Sequence, residues 1–192
     1  MKIERIIIGI TGTLGAGKGT IVDYLMTQYL FRHYSVRSYL SAEAQRRNLP
    51  LNRDTYVLLA NELRANNSPS FIIDELYKEA KQGGANAIIE SIRTPGEVAS
   101  LRKNSEFSLW AIDAAPEIRY RRIISRNSET DHVSFETFIA NEQREMVSAN
   151  PNRQNLSKCM EQADFRLNNN GDFQELYRQI DTIIAGINSH MQ

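Results

Sequence analysis

The sequence predicts an α/β fold of three layers, with helices on both faces of a five-stranded parallel sheet. Two observations predict it. Short apolar runs rich in β-branched residues alternate with helical stretches along the 192 residues, and that alternation builds parallel sheets through helical crossovers. The first run also leads at once into "ITGTLGAGKGT", Ile10 to Thr20, where a glycine-dense turn separates it from a helical stretch.

"RIIIGI" (5–10) is continuously apolar apart from its first residue, the pattern of a strand buried on both faces. Lys18 to Phe31 reads as a helix, with Ile21, Val22, Leu25, Met26 and Tyr29 at helical spacing. "HYSV" (33–36) is a short strand. Helices follow over 38–48, 53–66 and 70–82, parted by "LPLN" and "NNSPS". The pair "GG" at 83–84 ends the third, as helix C-termini favour. "NAIIE" (86–90) and "FSLWAID" (107–113) read as strands. Helices follow them over 95–103 and 116–126, the second opening on Pro116. "ADFRL" (163–167) is the last strand, and 172–187 a closing amphipathic helix. Without repeats or low-complexity linkers, 1–192 reads as a single domain. Within it, 38–82 is a helical insertion and "NSETDHVS" (127–134) a short polar segment.

Composition narrows the function. Formal charge sums to zero, which argues against a nucleic-acid track or an anionic membrane as main partner. Of 23 basic residues, 17 are arginine and 6 lysine, and arginine's planar fork suits phosphate and carboxylate. One cysteine, Cys159, precludes an internal disulfide or a cysteine metal cluster, and reads as a small, partly buried hydrophobe. His33, His132 and His190 lack ligand spacing. No run reaches transmembrane length, and "MKIERIIIGI" reads as a strand rather than a signal peptide. A cytoplasmic location is the expectation.

Gly12, Gly17 and Lys18 satisfy G-x-x-x-x-G-K between a strand and a helix, the context of a phosphate-binding loop. The span Gly12, Thr13, Leu14, Gly15, Ala16, Gly17, Lys18, Gly19 and Thr20 would wrap the phosphates of ATP. Glycines let successive N–H groups converge on the oxygens, and the following helix adds its positive end. Lys18 would bridge the outer phosphates. A hydroxyl just beyond it, here Thr20 after Gly19, would hold Mg²⁺. These features give the domain a P-loop nucleoside triphosphatase fold.

"GTLGAGKGT" resembles the phosphate loop of the nucleoside monophosphate kinases, adenylate kinase among them. "ESIRTPGEV" (90–98) is similar to their strand-end segment, where an acidic residue precedes an acceptor-clamping arginine. "AIDAAPEIRYRRIISR" (111–126) resembles the approach to an arginine-bearing lid. "ADFRLNNNG" (163–171) is similar to a last strand and turn shared with dephospho-CoA kinase. "ELRAN" with "ESIRTPGEV" also looks like a less characterised group of adenylate-kinase-like proteins.

The resemblance implies roles. Glu90 would reach Mg²⁺ through water and lie against the acceptor. Arg93 would clamp the acceptor phosphate by bidentate hydrogen bonds, with Arg37 and Arg64 completing the clamp from the 38–82 insertion. Arg119, Arg122 and Arg126 share a broad helix face. Arg122 would lie over the donor base, and Arg126 would reach the transferring phosphates as the lid, 127–134, closes. Arg144 would come from the lid's far side. Lys18, Arg93, Arg122 and Arg126 would form the catalytic set. Asp131 and His132 belong to a plain loop, Asp113 caps the helix near Pro116, and Trp110 is core.

The function implied is ATP-dependent phosphoryl transfer to a small phosphorylated acceptor, a nucleoside or deoxynucleoside monophosphate. Two other readings stand beside it. One is dephospho-CoA kinase or another small-molecule kinase, whose hydroxyl acceptor would need a carboxylate base; no strong one is evident near the loop. The other is an ATP-binding regulatory module with slow ATPase activity. No N-K-x-D motif points to a GTPase. Base, sugar, pathway and oligomeric state are not legible.

Overall fold

The computed structural model describes residues 5–126, 133–148 and 153–190. Five strands form one parallel sheet: β1 (Ile7–Gly12), β2 (Arg32–Ser35), β3 (Ala87–Glu90), β4 (Phe107–Asp113) and β5 (Phe165–Asn168). Their order is β2-β3-β1-β4-β5. Between them run α1 (Lys18–Tyr29), α2 (Val36–Arg46), α3 (Arg53–Asn66), α4 (Phe71–Gly83), α5 (Pro95–Leu101), α6 (Pro116–Arg126), α7 (Phe135–Met146) and α8 (Leu156–Glu161), with α9 (Phe173–His190) closing the chain. The fold is the expected three-layer α/β/α with a five-stranded parallel sheet.

Because neighbouring strand residues face opposite ways, the central strands feed two cores. Ile7, Ile89 and Leu109 pack with α2–α5 and α8. Ile8, Ile10, Ile88, Trp110 and Ile112 pack with α1 and α9. Such two-sided burial explains why β1 reads as an unbroken apolar run. Trp110 is fully buried, as expected.

The differences from expectation are local. Val36 belongs to α2, since the Ser35 hydroxyl accepts the Ser38 amide and ends β2 one residue early. The helix α7 was not predicted: Phe138 is its one buried residue among those described, too sparse an apolar stripe to read. Cys159, expected to be partly buried, is fully so, and its thiol is pushed up to about 12 by that burial. Asp113 does not cap α6. Its Oδ1 accepts the Thr13 hydroxyl at 2.5 Å and the Ala114 amide at 2.9 Å. Among the described residues, no helix is long and apolar enough to cross a membrane.

Candidate phosphate-transfer site

The site lies where β1 and β3 end, with β1 central in the sheet. Past β1 the backbone turns at Gly12, Gly15 and Gly17, with φ of 146°, 79° and 103°. A side chain at Gly15 would strike the Arg119 carbonyl, and one at Gly17 the Asn169 amide. Only glycine serves here. The helix α1 starts without a side-chain cap and without an acidic residue in its first turn. Its first backbone bond runs from Ile21 N to Gly17 O at 3.3 Å. The amides ahead of Ile21 therefore have no carbonyl inside the helix, which fits a bound polyphosphate.

Lys18 curls over this turn. Its Nζ donates to Gly12 O and Thr13 O, both at 2.9 Å. Burial pushes the ammonium down to about 8; Arg93 and Arg126 act in the same sense, and Glu90 and Glu145 oppose them. Lys18, Glu90, Arg93 and Arg126 are thus brought into one electrostatic neighbourhood. Glu145, which the sequence reading passed over, joins them.

Glu90 closes β3 and pairs with His33 Nε2 at 3.2 Å. That contact, ahead of the nearby cations, holds its carboxyl below the usual range. Ser91 then takes φ 73°, a strained value for serine at the point where the chain leaves the sheet. Two carboxylates, Glu90 and Glu145, thus act on the lysine of the loop. Thr20 lies half-exposed in the first turn of α1. Among the described residues no group of three or more His, Cys, Asp or Glu is placed to hold a metal alone. Mg²⁺ here would be held by nucleotide phosphates, the Thr20 hydroxyl and, through water, Glu90.

Arg93 leaves the loop before α5. Its Nη1 donates to Glu145 Oε2 at 3.2 Å and Gln154 Oε1 at 2.8 Å. Its backbone N–H donates to Glu97 Oε2 at 2.9 Å. Glu97 is 1% exposed; it also accepts the Thr94 amide at 3.0 Å and Arg64 Nη2 at 3.4 Å. Burial raises its carboxyl despite these donors. Arg64, from α3, therefore approaches Arg93 through Glu97, and its Nε is buried without a partner. Arg37 is exposed on the first turn of α2. A cavity of about 390 Å³ opens between α2, α4 and β2, lined by His33, Tyr34, Ser35, Ser38, Tyr39 and Glu79 among others.

The arginines of α6 divide. Arg119 is only 2% exposed. It donates to Ala114 O at 2.7 Å and Leu14 O at 3.3 Å, and its two Nη atoms grip the Glu142 carboxylate. It is a buried brace under the loop rather than a mobile lid residue. Arg122 Nη2 donates to Asn169 O at 2.9 Å while Nη1 is buried without a partner, and burial lowers its pKa. Arg126 is exposed at the helix end. Arg144 is exposed on α7, where its neighbour Glu145 turns to the site instead. The proposed lid, with Asp131 and His132, lies outside the described residues except for Val133 and Ser134, the latter capping α7.

Asn169, inside the quoted "ADFRLNNNG", donates from Nδ2 to Ala16 O at 2.8 Å. Glu97 had a signal of its own: T-x-x-E from Thr94 spells a capping box. His33, Glu142 and Glu145 had none, because their partners are distant in sequence.

A family model described as an AAA domain matches residues 8–148. A UPF0200 protein of Methanococcus maripaludis is 26% identical over 184 residues, 94% of this chain and 97% of that one. Another from Methanocaldococcus jannaschii is 26% identical over 190 residues, covering 97% and 93%. The structure of TT1252 from Thermus thermophilus aligns with TM-score 0.63 at 21% identity, covering 95% of this chain and 98% of that one. A shikimate kinase from Bacteroides thetaiotaomicron aligns at 0.55 with 13% identity, covering 95% and 98%. A gluconokinase from Sinorhizobium meliloti aligns at 0.58 with 10% identity, covering 100% and 97%. What these structures share with this chain is the fold, three layers around a parallel sheet.

Proposed function

The chain belongs to the AAA-domain family, and on that premise we propose that it transfers the γ-phosphoryl group of ATP to a small phosphorylated acceptor, a nucleoside or deoxynucleoside monophosphate. One observation carries the reading: Lys18, curled over an uncapped helix start, shares its electrostatic surroundings with Arg93, Arg126 and Glu90. Phosphoryl transfer asks for in-line placement and for positive charge on the equatorial oxygens. Loop amides and Lys18 hold the donor phosphates, and Arg93 takes the acceptor phosphate, with Arg64 joined to its backbone through Glu97 and Arg37 exposed on the insertion. The cavity between α2 and α4 gives the rest of the acceptor room. Mg²⁺, when bound, neutralises phosphate oxygens. An acceptor phosphate is already anionic at neutral pH and needs no general base.

A second reading has support of its own. Glu90, hydrogen-bonded to His33, is a carboxylate at the strand end beside Lys18. In this reading it would take the proton of a hydroxyl acceptor, the type that the names shikimate kinase and gluconokinase suggest. The deciding experiment measures ADP released from MgATP against ribo- and deoxyribonucleoside monophosphates, dephospho-CoA, shikimate and gluconate. Acceptor-dependent release with a monophosphate is expected. Equal release with and without every acceptor leaves only slow ATPase activity and ends both kinase readings.

A further inference from the structure

The fork that the proposed reaction needs for its acceptor is already in use. Arg93 Nη1 is shared by Glu145 and Gln154. One turn earlier on α7, Glu142 grips Arg119, which in turn reaches Leu14 O in the phosphate loop. The helix thus offers two carboxylates, three residues apart on one face, to arginines on the donor and acceptor sides of the site.

We propose that Glu145 is a self-supplied anion that holds the place of the acceptor's phosphate on Arg93, and so sets the charge an acceptor must bring to displace it. The inference rests on the proposed acceptor role of Arg93. A carboxylate offers one negative charge and two oxygens, whereas a phosphate group brings nearly two charges and three oxygens. A phosphorylated acceptor wins that exchange, and an uncharged hydroxyl compound does not. Exposure separates the carboxylates around Arg93. Glu97 is 1% exposed and fixed by backbone donors, while the Glu145 side chain is 29% and that of Arg93 32% exposed. A pair this open to solvent is weak, hence exchangeable. Glu145 also opposes the burial that depresses Lys18, so it shares the phosphate's electrostatic setting as well as its arginine.

Calorimetric titration of the full chain with inorganic phosphate tests this without turnover. Glu145→Gln keeps the shape and removes the charge; it is expected to bind phosphate roughly threefold or more tightly than wild type. Adding Arg93→Ala should abolish the gain. Glu145→Ala, with a thermal melt to check folding, should move the same way. Unchanged or weaker binding in folded variants, or a gain that survives Arg93→Ala, overturns the proposal. Loss of the fold in both variants does so too, since Glu145 would then be structural. Lack of acceptor-dependent ADP release would strike the proposed function and leave this measurement standing; an active kinase without the gain would strike this inference alone.

Discussion

The side-chain amide of Asn169 donates to the Ala16 carbonyl at 2.8 Å, tying the turn after β5 to the phosphate loop across the sheet. Asn169 is 2% exposed, and its backbone amide donates to the Asp113 carbonyl at 2.9 Å. Asp113 in turn receives the Thr13 hydroxyl. The loop's shape is therefore set from its far side as much as by its glycines. Asn169→Ala strands the Ala16 carbonyl and should cost about 1–3 kcal/mol, with weaker nucleotide binding. Asn169→Asp should do worse, because an acceptor would face an acceptor. Thermal melts and nucleotide titration check both, and an unchanged melt for Asn169→Ala would remove the tie.

Lys18 gives a pH prediction. Its folded value of about 8 lies below the ordinary 10.5. Between those values the unfolded chain holds more protons, so stability should rise with pH across that window. Lys18→Met should flatten the rise. Bound phosphates favour the ammonium form, so nucleotide binding takes up a proton once the pH passes about 8, and affinity should fall above it. Affinity measured across this range in wild type and Lys18→Met decides the point; a wild-type curve as flat as the variant's would place the titration elsewhere.

Lys18→Ala should remove nearly all phosphoryl transfer while the chain stays folded. Arg93→Ala should raise the acceptor KM and leave ATP binding nearly unchanged. Loss of one Arg–phosphate contact is expected to cost about 1.5–3 kcal/mol, roughly ten- to hundredfold in acceptor kcat/KM. Steady-state kinetics in each substrate separate the two variants. Equal damage to ATP and acceptor by Arg93→Ala would put that residue on the donor side.

The sheet, most of its helices and the phosphate loop were legible because each rests on local periodicity or on one contiguous motif. Lys18, Glu90 and Arg93 are read from motifs within a few residues of strand ends. What escaped the sequence reading depends on partners far along the chain. Glu142 and Glu145 sit on a helix with so little apolar surface that its existence was missed, and their partners lie 23 and 52 residues away. Arg119 shares a face and spacing with Arg122 and Arg126, yet only packing against Phe138, whose ring centre lies 5.4 Å from its guanidinium carbon, and Glu142 shows it to be interior.

Glu97 links the insertion to the site, since it receives Arg64 from α3 and the backbone of Arg93. Glu97→Ala leaves two amides and a guanidinium without their acceptor and should cost about 3–5 kcal/mol. Glu97→Gln should be milder. Its carbonyl can still take the amides, and it removes a charge whose burial raises the carboxyl pKa. For the same reason, wild-type stability should fall as pH climbs above the ordinary carboxyl value of 4.5, and Glu97→Gln should lessen that fall. Chemical denaturation at several pH values reads both effects. If Gln proves as damaging as Ala, the charge itself is indispensable.

Arg119 and Glu142 make the last test. Arg119 is 2% exposed and Glu142 supplies its acid partner from α7. Glu142→Leu leaves a buried guanidinium with backbone carbonyls and a distant Asp113 at 3.4 Å; the loss should approach about 3 kcal/mol. The double variant Arg119→Met with Glu142→Leu replaces the pair by apolar groups. It should recover much of that stability. It should still bind nucleotide less tightly, because Leu14 loses the donor that steadies its carbonyl. A double variant no more stable than Glu142→Leu would show that the cost comes from lost packing of α7 rather than from an unpaired charge. One that binds ATP as well as wild type would free the phosphate loop from any dependence on Arg119.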